Sequence, residues 1–200
     1  MRVYSYKISR DYGFAPNPFH GICTLATCKP QIRRTAKEGD LIIGCGSAAN
    51  GRQGKVICAL RVSRKMSFQE YWDDDRYTVK RPNFRSGKSH AYGDNIYHRG
   101  TTGNWIQERS HHTFSDGSLN QANLERDTTT SEMVLLGQEF VYFGRNAQEI
   151  PGHLRSFSGD DLYPSVRDFR SRFSPAFVTA IDTWFHELPR GLYGLPINWK

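Results

Sequence analysis

The residues of this 200-residue chain that could do chemistry are its seven histidines, its four cysteines and the acids that stand near them in sequence. Arg10, Asp11, His20, Asp94, His98, His111, Asp116 and Asp127 fall in polar, loop-like segments. There they could supply an acid, a base and an anchor for a ligand. An Arg beside an Asp, as at Arg10-Asp11, is as often an ion pair that holds a bend. Asp94-Asn95 is the favoured pair, because a turn aspartate followed by an amide makes a compact polar wall. Cys28 is an option for a nucleophile if His20 or His98 comes near enough to take its proton. A buried, inert thiol is the more common fate of such a residue. No residue is assigned a catalytic role.

Metal and triphosphate chemistry find little support. Cys23 and Cys28 are five apart, so on a strand they point to opposite faces, and neither matches the close pairs of zinc ribbons. His111 and His112 are adjacent and diverge in a strand. A metal held by His98, His111 and Asp116 is the remaining option, and the expectation is no metal and no cofactor. The Gly44-Cys45-Gly46-Ser47 turn lacks the Lys-Ser/Thr ending of a phosphate-binding loop, which excludes a nucleotide triphosphatase of that type.

Aromatic rings on irregular segments can stack a base, and Phe14, Tyr92, Tyr97 and Trp105 are so placed. Asn17 and Asn95 carry the donor and acceptor needed to read a base edge. Tyr71 and Trp72 close an amphipathic helical turn and are expected in the core. The expected ligand-binding set is therefore Arg10, Asp11, Phe14, Asn17, Tyr92, Asp94, Asn95, Tyr97, His98 and Trp105. For phosphate, Lys29, Arg33 and Lys37 fall on one face of an expected helix, with Arg34 beside them. A solvated helix face is the plainer reading of the same charges. Net charge is +7, with 18 Lys and Arg against 8 Asp and Glu in residues 1–100, and 9 against 12 in residues 101–200. That asymmetry suggests a positive face that attracts polyanions.

The elements that must carry these residues read as follows. Residues 3–8 have the β-branched and aromatic content of a strand, and the apolar run 21–28 suits a second. Pro30 opens a short helix that Gly39 stops. Strands follow at 40–44 and 55–63, with Asp40 tying the turn before the first of them. Ser67 and Glu70 form a capping box for a helix through Trp72. Residues 73–131 read as one long irregular stretch, which argues for function, and its embedded aromatics argue against disorder. A strand is expected over 133–143, and helices over 165–173 and 175–188. Ser174 caps the last of these, and Phe177, Ile181, Trp184 and Phe185 lie on one face.

Mean hydropathy is -0.63, and no run of 18 apolar residues exists, so no membrane helix is expected. The opening MRVYSYKISRDYGF has no apolar h-region, so no secretory signal is expected. Four cysteines with no disulfide framework fit a reducing cytoplasm. The expectation is a single α+β domain over residues 1–200, with a mixed sheet, flanking helices and a C-terminal helix.

Four strings, taken together, resemble one family: Arg10-Asp11-Tyr12-Gly13-Phe14-Ala15-Pro16-Asn17-Pro18-Phe19, Cys23-Thr24-Leu25-Ala26-Thr27-Cys28-Lys29-Pro30, Gly39-Asp40 and Tyr92-Gly93-Asp94-Asn95-Ile96-Tyr97. This family is the second of the nucleotide-modification-associated domains of bacteria and phages. The likeness spans roughly residues 1–150, and up to all 200. It implies a role in modifying nucleotides or nucleic-acid bases, and it transfers no reaction. The order helix, Gly-Asp, strand, loop, strand also looks like the PUA, ASCH and EVE group, an analogy of fold that implies a barrel-like sheet. The leading expectation is a nucleotide or nucleic-acid binding domain that recognises a modified base in a loop-walled aromatic pocket and works with base-modification enzymes. The alternatives are an enzyme that modifies or excises a base, with a flipped base if the substrate is duplex, and a binder of a free nucleotide.

Overall fold

The computed structural model describes residues 1–165 and 168–199. In chain order the strands are β1 (Val3–Ile8), β2 (Cys23–Leu25), β3 (Leu41–Gly46), β4 (Lys55–Arg61), β5 (Arg64–Ser67), β6 (Tyr97–Arg99), β7 (Trp105–Gln107), β8 (Met133–Gly137), β9 (Phe140–Tyr142), β10 (Gln148–Glu149), β11 (Phe169–Arg170) and β12 (Gly191–Leu192). The helices are α1 (Pro30–Thr35), α2 (Phe68–Asp73), α3 (Lys88–Ala91), α4 (Gln121–Thr128) and α5 (Pro175–Glu187). The class is mixed α+β. The chain divides into two compact units, each built from separate stretches. The first comprises Met1–Tyr12, Ala36–Ser63 and Gly137–Lys200, and the second comprises Gly13–Thr35 and Arg64–Leu136.

The first unit is built on a mixed sheet in the order β11-β1-β3-β4-β9-β12, with β10 paired to β4. β1 and β3 run parallel from Val3 beside Leu41 to Ile8 beside Gly46, and β3, β4 and β9 pair antiparallel. Every residue of β3 is buried, which explains its continuous apolar run. The register of β3 against β4 slips between Gly44 and Cys45. A Cβ at Gly44 would collide with Ile8 and Cys58, so this close approach requires glycine. Helix α5 starts as its sequence dictates, with Ser174 as N-cap and Pro175 at its first position. Its buried Phe177, Ile181, Trp184 and Phe185 pack in one cluster with Val3, Leu41, Ile43 and Val141 of the sheet. Each such side chain contributes about 1.5–3 kcal/mol on burial.

Two expectations differ here. No pairing among the described residues closes the sheet into a barrel, because β11 and β12 end its path. The helix expected over 165–173 is replaced at Phe169–Arg170 by an edge strand against β1, pairing with Ser5 and Tyr6. Tertiary pairing overrides the local pattern there. Positions 166 and 167 lie outside the described residues.

The second unit holds a three-stranded sheet, β2-β8-β5, and a hairpin of β6 and β7. The capping box opens α2 as expected: Ser67 Oγ accepts from the Glu70 amide at 3.1 Å, and Glu70 Oε2 accepts from the Ser67 amide at 2.6 Å. The stretch 73–131 is not irregular throughout, since α3, β6, β7 and α4 all lie within it. Buried polar groups order it more than apolar runs do, and hydrophobic periodicity does not register such groups.

No helix among the described residues is long and apolar enough to cross a membrane. No disulfide joins the four cysteines. The basic half of the sequence does not become a basic unit. The first unit carries 14 Lys and Arg against 10 Asp and Glu, and the second carries 13 against 10.

Candidate functional site

The two side-chain clusters and the cleft described first lie within the second unit. The strand β2 leads through Ala26 and Thr27 to Cys28 and Lys29, which enter α1. Cys28 and Lys29 hold φ angles of 57° and 40°, a left-handed pair with no glycine. Such residues cost about 1–3 kcal/mol each and persist only where their surroundings impose them. The surroundings are visible. The Cys28 amide donates to Asp127 Oδ1 at 2.9 Å, and the Cys28 carbonyl accepts from Arg33 Nε at 2.8 Å. Arg33 also donates to the carbonyls of Ser131, Met133 and Asp127. A strand, a strained turn and a helix thus present the Cys28 side chain, the kind of elbow that aims a nucleophile.

The Cys28 thiol is half-buried, whereas Cys23, Cys45 and Cys58 are buried. Burial pushes the thiols of Cys23 and Cys45 up to about 12. Sγ of Cys28 lies 3.8 Å from Nε2 of His112. The other ring nitrogen, Nδ1, lies 2.9 Å from Oδ2 of Asp127. Asp127, on α4 and fully buried, also accepts from Tyr97 Oη at 3.0 Å and from Arg126 Nε at 3.0 Å. Asn123 Nδ2 and Gln107 Nε2 donate to the His112 carbonyl at 2.8 and 3.5 Å. Phe14 packs edge-on against the imidazole, with 4.6 Å between centroids. Burial acts to raise the Asp127 carboxyl, but its bonds to His112 and Arg126 outweigh that and hold it down at about 2. Burial acts to lower His112, but Asp127 and Cys28 outweigh that and set its imidazole above the ordinary 6.5. A thiol beside an imidazole that a carboxylate orients can pass its proton from sulfur to nitrogen, and the carboxylate helps to hold it there.

A small cleft of about 250 Å³ opens next to this cluster, lined by Phe84, Ala91, Tyr92, Ser110 and His111. Tyr92 meets the His111 ring at 5.2 Å, and Phe14 touches both His111 and His112. The guanidinium of exposed Arg109 lies 5.1 Å over Phe84. At this size, below the roughly 300–1,000 Å³ of drug-sized pockets, the cleft suits one flat ring.

The second buried cluster is built around Lys80 and Asp94, both fully buried. Lys80 Nζ donates to Asn17 Oδ1 at 2.8 Å, to the Ile22 carbonyl at 2.8 Å and to the Asn17 carbonyl at 3.1 Å. Asp94 accepts from Thr24 Oγ1 at 2.6 Å and from Tyr71 Oη at 2.9 Å. Burial lowers Lys80 to about 8, while the same burial raises Asp94, opposed by the charge of Lys80. Every polar atom named here faces protein, so this cluster joins segments distant in sequence.

The expected ligand-binding residues therefore divide. Phe14 and Tyr92 stand at the cleft. Asn17, Asp94 and Asn95 are buried, with Asn95 Nδ2 donating to the carbonyls of Tyr71 and Tyr77. Tyr97 is buried beneath the Cys28 cluster. His98 stacks on Trp72 at 3.9 Å and bonds Glu108 at 2.8 Å. Trp105 lies between Arg99, at 3.6 Å, and Phe68. In the first unit, Arg10 is exposed, and Asp11 is buried, accepting from the Ile197 amide and from Tyr142. Of the expected phosphate set, Arg33 is buried; Lys29 is half-buried, and Arg34 and Lys37 are exposed. Helix α1 covers only Pro30–Thr35, so Lys29 and Lys37 lie beyond its ends. His20 packs on His90 at 4.5 Å, Asp116 is exposed in its turn, and no group of three metal-ligating side chains occurs among the described residues.

The residue that sequence reasoning passed over is His112. His20 packs on His90 and His98 on Trp72, and the Cys28 thiol instead meets His112. No local spacing links positions 28, 112 and 127; only the fold brings them together.

A family model described as nucleotide modification associated domain 2 matches residues 1–200. No curated protein and no solved structure matches the chain.

Proposed function

The chain belongs to the nucleotide modification associated domain 2 family, and from that premise we propose that its second unit binds a nucleotide or nucleic-acid base in the Tyr92–His111 cleft and serves base modification. The observation that carries this reading is a one-ring cleft walled by Phe84, Tyr92 and His111. Stacking on such rings is worth about 1–3 kcal/mol per base and tolerates any base. Arg109, over Phe84 at the rim, offers the planar fork that suits a phosphate. Within the same unit, Lys29 and Arg34 add positive charge that a polymer would feel. The protein works in the cytoplasm, where thiols stay reduced, and alongside base-modifying enzymes that supply or consume the same base.

The test is a titration of fluorescent mononucleotides and single-stranded oligonucleotides at several salt concentrations. Polymer binding should weaken with salt, at about -0.7 in the log–log slope per phosphate neutralised. Salt-insensitive binding of a mononucleotide alone would assign the cleft to a free nucleotide. Absence of binding to either, in folded protein, contradicts the reading. The alternative of an enzyme is favoured by one specific observation, the carboxylate-oriented imidazole beside Cys28.

A further inference from the structure

We propose that Cys28, His112 and Asp127 form a thiol acyl-transfer site that cleaves an amide or ester group carried on a nucleobase seated in the adjacent cleft. The substrate class rests on the nucleotide reading above; the thiol chemistry does not.

Three observations point to acyl transfer. Cys28 is displayed from a left-handed turn between β2 and α1, and both its amide and its carbonyl are held, by Asp127 and Arg33. The imidazole of His112 faces the sulfur with one nitrogen at 3.8 Å and the carboxylate of Asp127 with the other at 2.9 Å. The guanidinium of Arg126 lies within 3.4 Å of both ring nitrogens. A thiol that only adds to a double bond of a base needs no partner to hand a proton back to a departing group. An imidazole fixed by a carboxylate does that work, and a fixed imidazole beside a nucleophile is the arrangement for substitution at a carbonyl carbon.

The steps balance with water as the second reactant. Cys28 gives its proton to Nε2 of His112 as the sulfur pair bonds the carbonyl carbon. The C=O π pair moves onto oxygen, an anion that the positive charge of Arg126 favours. The carbonyl re-forms and the bond to the departing nitrogen or oxygen breaks. That atom takes the proton from His112, which leaves a thioester on Cys28. Water, deprotonated by His112, adds to the thioester and releases the carboxylic acid and the thiol. Asp127 acts as a positioning residue for the ring throughout.

The test uses the full chain with two acyl donors, p-nitrophenyl acetate and N4-acetyldeoxycytidine, followed by intact-mass analysis and peptide mapping. The expected result is an acetyl adduct on Cys28 from both, discharged by hydroxylamine. Cys28→Ser should form no thioester, and His112→Gln should acylate at least about tenfold more slowly while melting as a folded protein. Iodoacetamide labelling of the wild type controls for access to the thiol, and needs no variant. Labelling by iodoacetamide without acylation by either donor overturns the acyl-transfer proposal, as does equal acylation of wild type and His112→Gln. Acylation by p-nitrophenyl acetate alone, without competition from any nucleotide, overturns the nucleobase substrate and with it the nucleotide reading, while the thiol activity stands.

Discussion

Nε of Arg33 donates to the carbonyl oxygen of Cys28 at 2.8 Å. The same guanidinium reaches the carbonyls of Asp127, Ser131 and Met133, so one buried side chain ties the thiol-bearing turn to the end of α4 and to the start of β8. Its planar fork of donors is what makes four carbonyl contacts feasible from one residue. Burial lowers Arg33 only to about 10, so it stays charged at neutral pH.

Arg33→Lys keeps the charge and loses the fork, leaving buried carbonyls unsatisfied. A loss of about 3 kcal/mol of stability is expected, at about 1–3 kcal/mol per group abandoned. Urea unfolding checks it through a lower midpoint at unchanged slope. The salt dependence of nucleic-acid binding should not change. An unaltered midpoint would contradict this structural role for Arg33.

Asp127 is held at about 2 against an ordinary 3.8, so the folded state favours its charged form. Its stabilising contribution is present above pH 3.8 and is lost as pH falls toward 2, about 2 kcal/mol in order of magnitude. His112 moves the other way, above 6.5, so its contribution is present below pH 6.5 and disappears as pH climbs through the raised value. Difference curves of stability against pH, wild type minus Asp127→Asn and wild type minus His112→Gln, should show these opposite limbs. Flat difference curves would contradict the coupling.

Lys80→Met removes the nearby positive charge that opposes the rise of Asp94 and leaves oxygens of Asn17 and Ile22 without their donor. Abandoning buried acceptors costs about 1–3 kcal/mol each, so a loss of about 3 kcal/mol is expected. Thermal melts should show a large fall, and removing both charges in Lys80→Met with Asp94→Asn should recover part of it. Equal melting of the single variant and the wild type would show that the cluster does not hold this unit together.

Tyr92→Ala should weaken mononucleotide binding about tenfold with little change in melting temperature, since its ring lines the cleft. Asn95→Ala should do the reverse. It removes two hydrogen bonds to carbonyls in the interior, at a cost of about 1–3 kcal/mol in stability. Fluorescence titration and thermal melts, run on both variants, separate the two roles. A stable Asn95→Ala protein that no longer binds nucleotide would place the base elsewhere.

Much of the first unit was legible in the sequence because its signals are local. Ser174-Pro175 and the spacing of Phe177, Ile181, Trp184 and Phe185 define α5 without reference to any other element. The dense apolar run of β3 likewise announces burial. The second unit was less legible, because its order depends on buried pairs such as Lys80 with Asn17 and Asp94 with Tyr71, which sequence patterns treat as surface polarity. Arg33 illustrates the same difficulty: its charge suggested solvent or phosphate, and only the carbonyls brought by Cys28, Asp127, Ser131 and Met133 reveal its task. The sequence offered Cys28 as one option for a nucleophile beside the commoner inert thiol, whereas the imidazole that meets it, His112, lies 84 positions away. The sequence-half charge asymmetry carried no information about the units, because the chain passes between them repeatedly.

In the proposed function a base sits beside Cys28, against Tyr92 and His111. The most direct measurement is the rate of Cys28 alkylation by iodoacetamide with and without saturating mononucleotides and short single-stranded oligonucleotides. At least one of these ligands should slow modification about tenfold, because His111 of the cleft and His112 of the thiol cluster stand 6.1 Å apart and share Phe14. Alkylation at the same rate in the presence of every nucleotide and oligonucleotide would contradict it.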